Sequence, residues 1–269
     1  MYGTVEETQR VTPHLIRVVF GGPGLADFTP SEYADSYVSI ALPVSDADYL
    51  MPCDLAASND LPRQMRPYRR RYTIRSWDED LRRLSIDFVV HGDSGVAGPW
   101  AAAAQPGDIL QFEGPSGGYE PDHSAAWHLL VGDESALPAI MVALERLDPG
   151  EMAHAFIEVD SPLDHLELTT GAEVNVTWLY RHGQFSAARL GAAVCQFEFP
   201  PGRLHGFIHG EAAMVRDVRH HLVTERGIPR EWLSATPYWR HGMADEAWRQ
   251  LKKQWIAEAD EHEHRVLTA

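Results

Sequence analysis

Arginine, tyrosine and threonine side chains alternate along one short segment, residues 70–75 (RRYTIR). If this segment is a β-strand, Arg70 and Tyr72 lie on one face, because successive side chains of a strand point to opposite faces. Thr73 and Arg75 then lie on the other face. The segment offers a ring for stacking, a hydroxyl for hydrogen bonding and guanidinium groups that fork onto phosphate. This combination favours a planar, phosphorylated ligand.

The same segment ends a basic stretch of the chain. Six arginines fall between positions 63 and 75: Arg63, Arg66, Arg69, Arg70, Arg71 and Arg75. A charge run of this kind is more often a solvated loop, and an isolated R-x-Y-T tetrapeptide occurs by chance. Here Tyr68 and Tyr72 interleave with the arginines, which favours a binding role over a solvated loop.

A second candidate anion site lies at residues 95–100 (GVAGPW). Small residues there lead into a short helix, and Pro99 suits a first helical turn. Backbone N–H groups of such a turn face an anion well, and the amino end of the helix adds partial positive charge. An ordinary strand-to-helix turn has the same pattern, so this segment alone does not identify a ligand.

Two groups in the second half of the chain are further candidates. Residues 132–135 (GDES) follow an apolar strand, and parallel α/β sheets bind ligands at the carboxyl ends of their strands. The segment is not a G-x-G-x-x-G motif, and its acidic pair is unfavourable for the extra phosphate of NADPH. Ser135 is equally explained as a helix cap. Tyr238, Trp239 and Arg240 offer two rings and a cation, although packing between domains explains Trp239 equally well.

The histidines do not show the pattern of a metal site. The candidate pairs are His205 with His209, His220 with His221, and His262 with His264. None has cysteine or carboxylate support at the usual ligand spacing. We therefore expect structural or solvated histidines and no metal ligand.

The elements that position these residues are of two kinds. Over about the first 118 residues, short segments rich in β-branched and aromatic residues are bounded by glycine, proline or aspartate, as strands are. The predicted strands are 11–20, 37–42, 70–75 and 84–90, with a long polar loop over 46–67. Antiparallel strands at this spacing predict a small barrel.

From about residue 126, apolar strands alternate with helical stretches, which predicts a parallel sheet covered by helices. The predicted strands are 128–131, 153–159, 174–179 and 206–208. Helices are predicted from near Ser135 and from near Ala212, and a final helix over about 244–263. We therefore predict two domains: an antiparallel β-barrel at 1–122, and an α/β parallel-sheet domain with a C-terminal helix at 123–269.

Composition excludes several classes of protein. The net charge of −16 argues against a general binder of nucleic acid or of anionic membranes. No window of about 18 consecutive apolar residues exists, so no membrane insertion is expected, and the polar start lacks the pattern of a secretory signal. Cys53 and Cys195 provide neither a disulfide framework nor the four thiolates of an iron–sulfur cluster. A cytoplasmic protein is expected.

Taken together, the motifs resemble those of the siderophore-interacting proteins, a branch of the ferredoxin–NADP reductase-like flavoenzymes. The resemblance covers nearly the whole chain in the same order. The matching segments are TPHLIRV (12–18), GGPG (21–24), RRYTIR (70–75), DFVVHG (87–92), GVAGPWA (95–101), PGD (106–108), GP (114–115), GDESALPA (132–139), GEA (210–212) and YWRHG (238–242).

This resemblance implies FAD as the cofactor, with its pyrophosphate along residues 95–100. The implied cofactor-binding residues are Arg70, Tyr72, Thr73, Arg75, Asp87, His91, Gly92, Val96, Ala97, Gly98, Trp100, Asp133, Ser135 and Trp239. It also implies a loose nicotinamide site at 132–135, with Gly210 and Glu211 on its far side. Arg66, Arg69 and Arg240 are the expected contacts of an anionic ferric siderophore. His241 stands where the family often has a second basic residue, so affinity is expected to be weaker or pH-dependent.

The implied activity is reduction of Fe(III) inside a ferric siderophore, after which the weakened oxygen chelate releases Fe(II). Electrons come from NADH, NADPH or reduced ferredoxin through the flavin, and the cofactor carries the chemistry. Electron transfer needs no acid–base residue, so no catalytic side chain is assigned. Two alternatives stay open: another NAD(P)H-dependent flavin or quinone reductase, and a non-enzymatic module that binds flavin or siderophore.

Overall fold

A computed structural model describes residues 1–92 and 95–268, and the chain divides into two compact units, Met1–Glu120 and Pro121–Ala269. Within the described residues, the first unit is a closed barrel of six strands in the order β1-β2-β5-β4-β3-β6, in which all neighbours pair antiparallel. Its elements are β1 (Tyr2–Thr12), β2 (Leu15–Gly21), β3 (Tyr37–Leu42), β4 (Tyr68–Asp78), β5 (Arg83–Val89), helix α1 (Ala97–Ala103) and β6 (Ile109–Ser116).

Alternating side chains build the barrel core. On β5, Leu84, Ile86 and Phe88 are fully buried, and they lie opposite Phe20, Val18 and Ile16 of β2 in the antiparallel ladder. Residues directly opposite each other in a ladder share a face, so both strands turn these apolar side chains inward. The two-residue period of the sequence thus translates directly into one buried face.

The strand predicted at 11–20 is divided between β1 and β2, and this prediction was wrong. Pro13 and His14 form the turn between the two strands, since proline has no N–H to donate to a ladder. β1 begins at Tyr2 and is exposed from Glu6 to Gln9, so its hydrophobic signal is weak. β6 was also missed, because it ends in a Gly-Pro pair that is typical of a turn.

The long connection between β3 and β4 is an irregular loop, as predicted, with single 3₁₀ turns at Ala57–Asp60 and Arg63–Met65. A buried side chain of β6 holds it in place: Gln111 Nε2 donates to the Cys53 carbonyl at 2.7 Å, and Cys53 N donates to Gln111 Oε1 at 2.8 Å. This two-bond clamp fixes the loop to the barrel at one point, well before its arginines.

The second unit is a five-stranded sheet in the order β11-β10-β7-β8-β9, and all four pairings are parallel. Its elements are β7 (Trp127–Asp133), α2 (Leu137–Glu145), β8 (Met152–Val159), β9 (Glu173–Tyr180), α3 (Ala188–Gln196), β10 (Leu204–Glu211), α4 (Ala212–His220), β11 (Leu233–Trp239) and α5 (Asp245–Thr268). The predicted architecture of a barrel followed by a parallel sheet with a C-terminal helix is confirmed.

Burial explains which of these elements the sequence revealed. Every residue of the central strand β7 is buried, as expected for a strand covered on both faces. β11 lies at the edge of the sheet, and six of its seven residues are only half-buried. Because it also contains Pro237, its sequence does not look like a strand, and it was not predicted. None of the helices among residues 1–92 and 95–268 has the length and apolar character that a membrane crossing requires.

The C-terminal helix α5 is fixed at both ends. Near its start, Trp248 is buried, and its indole Nε1 donates to the Tyr238 carbonyl of β11 at 3.1 Å. Near its end, the buried carboxylate of Glu263 accepts from Arg219 Nε at 2.8 Å and also pairs with Arg230. Leu251, on the predicted apolar face, is exposed.

His209 is a structural histidine, as expected from the sequence. Its ring lies within hydrogen-bonding distance of the Tyr238 hydroxyl and of Ser234 Oγ, at 2.9 Å each, and it stacks on Phe207 at 3.7 Å. Burial, with a smaller contribution from the Lys252 charge, lowers the pKa of His209 from 6.5 to about 3. The ring is therefore neutral in the folded protein at neutral pH, and it joins β10 to β11.

This burial predicts an acid-sensitive fold. Between pH 6.5 and 3 the unfolded chain binds a proton on His209 that the folded chain does not, so the free energy of unfolding falls as pH drops below 6.5. At pH 5 this group alone lowers it by about 2 kcal/mol relative to pH 8. Urea unfolding measures the free energy of unfolding at pH 8 and at pH 5. The difference between the two values should be about 2 kcal/mol smaller in His209→Asn than in wild type. The control His264→Asn, at an exposed histidine, should show the same difference as wild type.

Candidate functional site

The ladder between β4 and β5 covers only part of these strands, and we call the stretch beside Tyr72 beyond its end the opening. β4 pairs with β3 along Tyr68–Thr73, but its ladder with β5 begins only at Ile74, opposite Ile86. Beyond Ile86, β5 pairs with β2 on its other side. Within the described residues, the ladder between the two strands therefore stops at the pair Ile74 and Ile86, two residues from Tyr72.

Tyr72 and Arg70 share a face of β4, since they stand opposite Val38 and Ile40 in the ladder with β3. The Tyr72 ring is half-buried, with its centroid 4.5 Å from that of Phe88. The Arg70 guanidinium lies 5.6 Å from the centre of the Tyr68 ring. An aromatic ring and a cation are thus brought together at the opening.

A β-bulge places Arg75. The ladder runs from the pair Ile74 and Ile86 directly to the pair Ser76 and Ser85, so Arg75 is the extra residue. Bulges bend a strand and re-aim the side chain at the extra position. Simple alternation, which predicted Arg75 on the same face as Thr73, does not fix the face of Arg75 here. Thr73 itself is buried.

Asp87 has a partner on the neighbouring strand β2, on the face of β5 opposite to the barrel core. Its carboxylate accepts from Arg17 Nε at 2.7 Å and from Arg17 Nη2 at 2.8 Å, and its side chain is 0% exposed. A two-bond pair between guanidinium and carboxylate fixes both groups in orientation as well as in distance. The pair holds β2 to β5 at the edge of the opening, and a direct contact of Asp87 with a cofactor stays a prediction.

Helix α1 approaches β5 closely because its first turns carry small residues. Ala97, Gly98 and Ala101 are buried, and a Cβ atom on Gly98 would lie 3.0 Å from the Val89 carbonyl oxygen. Any side chain at Gly98 would therefore tighten this approach. The Trp100 ring packs at 5.7 Å from Phe88, on the same core residue that contacts Tyr72.

Two glycines with left-handed backbone conformation precede helix α1. Gly92 and Gly95 have φ angles of 56° and 80°, in the left-handed region that favours glycine. His91 and Gly92 are exposed, and the Val96 carbonyl accepts from Trp100 N at 3.2 Å. Placement of a pyrophosphate along this segment stays a prediction.

In the second unit, Asp133 joins three strand ends. Its Oδ2 accepts from Trp239 Nε1 at 2.9 Å and from Glu211 N at 2.8 Å, and its Oδ1 accepts from Ser135 N at 2.9 Å and Ser135 Oγ at 2.5 Å. The structure thus brings together the three cofactor-binding residues predicted in this unit, Asp133, Ser135 and Trp239. Ser135 is not the helix cap, since Ala136 occupies that position in α2.

Glu211 has a role that the sequence did not reveal. Its Oε2 accepts from Ala213 N at 2.6 Å and Met214 N at 3.1 Å, which caps α4, and its Oε1 accepts from His241 N at 3.1 Å. Close packing also demands glycine at Gly210, because φ is 133° and a Cβ would lie 2.7 Å from Asp133 Oδ2. The carboxyl edge of the sheet is therefore built around two buried carboxylates.

Two arginines offset the other buried acids at this edge. Arg181 pairs with Glu134, and Arg189 Nη1 lies 3.0 Å from Glu158 Oε2. Burial raises the pKa of Glu134 and of Glu158 despite these partners. The acidic pair at 133–134, interpreted as unfavourable for NADPH, is therefore partly compensated. Arg181 directly follows β9 and Arg189 lies in the first turn of α3, and no sequence motif marks either position.

The three arginines predicted to contact the substrate differ in exposure and in their bonds to other residues of the protein. Arg66 is exposed, and its Nε donates to the Leu61 carbonyl at 2.8 Å. Arg69 pairs with Glu113 of β6, whose side chain is 57% exposed. Arg240 belongs to the second unit and is half-buried after β11. Glu113 was not predicted to belong to this group, because 44 positions separate it from Arg69.

Comparison with protein-family models finds two matches. A siderophore-interacting FAD-binding domain matches residues 4–119, and a siderophore-interacting protein domain matches residues 125–242. An uncharacterized protein of Mycobacterium tuberculosis is 42% identical over 97% of this chain and 96% of its own.

Two similar proteins carry informative names. The ferric vibriobactin reductase ViuB of Vibrio cholerae is 31% identical over 89% of each chain. The NADPH-dependent ferric-chelate reductase of Escherichia coli is 32% identical over 88% of this chain and 91% of its own.

Solved structures agree on the fold. The siderophore-interacting protein SipS from Aeromonas hydrophila superposes with a TM-score of 0.81 at 29% identity, over 96% of this chain and 98% of that one. A ferredoxin-NADP+ reductase from Plasmodium falciparum has a TM-score of 0.62 at 11% identity, over 88% of this chain and 95% of that one, which is a likeness of fold alone.

Proposed function

The chain belongs to the siderophore-interacting protein family, and from this premise we propose that it is a FAD-dependent reductase of ferric siderophores. The observation that carries the proposal is the opening beside Tyr72, which lies within the residues that match a FAD-binding domain. The names of the relatives from Vibrio cholerae and Escherichia coli support Fe(III) in a chelate as the substrate.

The residues at the opening fit a flavin nucleotide. Tyr72 supplies a ring beyond the end of the ladder between β4 and β5, Arg70 supplies a cation on the same face, and Gly98 lets α1 come close to β5. We assign ring stacking to Tyr72 and phosphate contacts to Arg70, because aromatic faces stack on rings and guanidinium forks onto phosphate. The Arg17–Asp87 pair positions β5 at the same opening.

When bound, FAD supplies the redox chemistry, accepting electrons from a donor and delivering them singly to Fe(III). The protein's own residues bind and orient the reactants. Loss of one positive charge at iron weakens its bonds to the hard oxygen ligands of the siderophore, so the iron is released as Fe(II).

For the electron donor we propose a nicotinamide nucleotide, NADPH or NADH, at the carboxyl edge of the sheet in the second unit. Ligands of parallel sheets bind at this edge, and the Gly132–Ser135 turn there is held by Asp133. Reduced ferredoxin is the alternative donor. We place the enzyme in the cytoplasm, consistent with free Cys53 and Cys195 thiols.

One experiment tests the proposal. The purified protein should be yellow, with a flavin spectrum. Under anaerobic conditions with a ferric siderophore and an Fe(II) trap, NADPH, NADH or reduced ferredoxin should each be supplied in turn, and at least one should yield trapped Fe(II). A colourless protein that does not take up FAD contradicts the proposal. Bound FAD with no Fe(II) from any donor favours the binding module, and faster reduction of quinone or free flavin favours the other reductase class.

The charge at Arg69 gives a separate prediction. Glu113 pairs with this arginine at an exposed position, so Glu113→Gln removes one negative charge beside it and should strengthen its attraction for an anionic ferric siderophore. Exposed pairs are worth about 0.2–1 kcal/mol, so we expect KM to fall about two- to fivefold at low salt with kcat unchanged. Glu7→Gln makes the same charge change at another exposed position of the barrel and should leave KM unaltered. An equal fall in both variants would show a general charge effect instead.

A further inference from the structure

A group of side chains at the amino ends of β7 and β8 takes no part in the proposed function. His123 lies just before β7, His128 is the second residue of β7, and Asp148 and Glu151 lie in the turn before β8. β7 and β8 are parallel neighbours in the sheet, so these residues meet at one edge. This edge is opposite to the carboxyl edge that carries Asp133.

The spacing of their ligand atoms suits one metal ion. His123 Nδ1 lies 3.1 Å from both carboxylate oxygens of Glu151 and 3.6 Å from Asp148 Oδ2. Ligand atoms at about 2.0–2.2 Å from a tetrahedral ion are about 3.4 Å apart. The three side chains each offer an atom within 4.8 Å of the others, so one ion can reach all three with small side-chain movements.

His128 supplies an independent indication. It is 1% exposed, and neither of its ring nitrogens has a hydrogen-bond partner among the described residues. Its Nε2 faces Glu151 Oε1 at 3.9 Å, too far for a hydrogen bond. Buried polar groups in folded proteins nearly always have a partner.

We propose that His123, His128, Asp148 and Glu151 bind one divalent first-row transition-metal ion at the amino edge of the sheet. Two imidazole nitrogens with two carboxylates suit Zn²⁺ and ions of similar preference rather than Ca²⁺ or Mg²⁺, which take oxygen ligands. The ion would tie the segment before β7 to the turn before β8. The neighbouring Asp122 is not part of the set, because it pairs with Arg203 at 2.7 Å.

The test uses the FAD-containing full chain after chelator treatment and desalting, with Zn²⁺ as the probe in calorimetry. We expect one ion per chain. His123 is 47% exposed, so His123→Ala should fold normally. It should weaken Zn²⁺ binding about a hundredfold, since loss of an outer partner alone costs about 10–100-fold. His264→Ala, at an exposed histidine of the same unit, is the matched control and should bind as wild type does.

Co²⁺ gives a second readout that depends on His128. Wild type should show the intense visible bands of four-coordinate Co²⁺, and His128→Phe should lose them. The proposal is overturned if Zn²⁺ binds wild type and His123→Ala with equal affinity, or if no stoichiometric binding occurs. Bands that are unchanged in His128→Phe also overturn it, because His128 then has another partner. Since flavin content and ferric reduction are measured separately, failure here leaves the proposed reductase activity intact.

Discussion

Gly98→Val is expected to yield a folded protein that is purified without its yellow colour and with ferric reductase activity reduced about a hundredfold. A Cβ on this residue would lie 3.0 Å from the Val89 carbonyl oxygen and 3.5 Å from Val90 Cα. The 3.0 Å contact is tighter than ordinary van der Waals packing and is made with backbone, which cannot turn aside as a side chain can, and the two methyl groups of valine add further bulk. Helix α1 must therefore move away from β5, and displacement of a binding element by about 1 Å costs about a hundredfold.

The matched control for this prediction is Gly118→Val in the same unit. A Cβ on Gly118 would meet no other described atom within 4 Å, and the backbone there has no positive φ, so valine should leave FAD content and activity unchanged. Far-ultraviolet circular dichroism and urea unfolding separate displacement of α1 from loss of the fold. Full flavin content in Gly98→Val would show that the cofactor does not depend on the approach of α1 to β5.

Arg17→Met is expected to destabilise the barrel by about 3 kcal/mol or more. The Asp87 side chain is 0% exposed and both of its oxygens are bonded to Arg17. Removing one partner of such a pair leaves an uncompensated buried charge, and measured costs are about 3–5 kcal/mol. Because the Arg17 side chain is 27% exposed, water partly screens the remaining charge, which places the expected value at the lower end. Urea unfolding followed by tryptophan fluorescence measures it.

A double variant distinguishes the charge effect from loss of packing. In Arg17→Met with Asp87→Leu both charges are gone, and replacement of a buried pair by apolar residues is often neutral, so most of the stability should return. The same variant tests the predicted contact of Asp87 with the cofactor. If the double variant binds FAD with normal affinity, the role of Asp87 is only to pair with Arg17. If the double variant is stable but does not bind FAD, a direct contact between Asp87 and the cofactor is supported. A double variant as unstable as Arg17→Met would contradict the charge argument.

The fold was largely predictable because its signals are local. The alternation at Leu84, Ile86 and Phe88 and the apolar run at residues 129–131 of β7 each identify one kind of strand within a few residues. β1 and β11 escaped prediction because five of the eleven residues of β1 are exposed and β11 contains Pro237 at a sheet edge. In both, pairing with a distant strand compensates for a weak local preference.

The candidate site was predictable only in the residues that motifs mark. Tyr72, Gly98 and Asp133 lie in recognisable segments, but the partners that define their surroundings do not. Asp133 bonds Trp239, which is 106 positions away, and Arg17 is 70 positions from Asp87. No periodicity within one segment reports such contacts, and the bulge at Arg75 breaks the alternation that predicted its face.

The clamp between Gln111 and Cys53 has a consequence for how this chain could diversify. It anchors the connection between β3 and β4 ahead of Arg63 and Arg66, so residues between the anchor and β4 can change length and charge while the strand ladder keeps its register. Evolution, or an engineer, can therefore alter the charge of this stretch, which holds the proposed siderophore contact Arg66, at little risk to the scaffold beneath it.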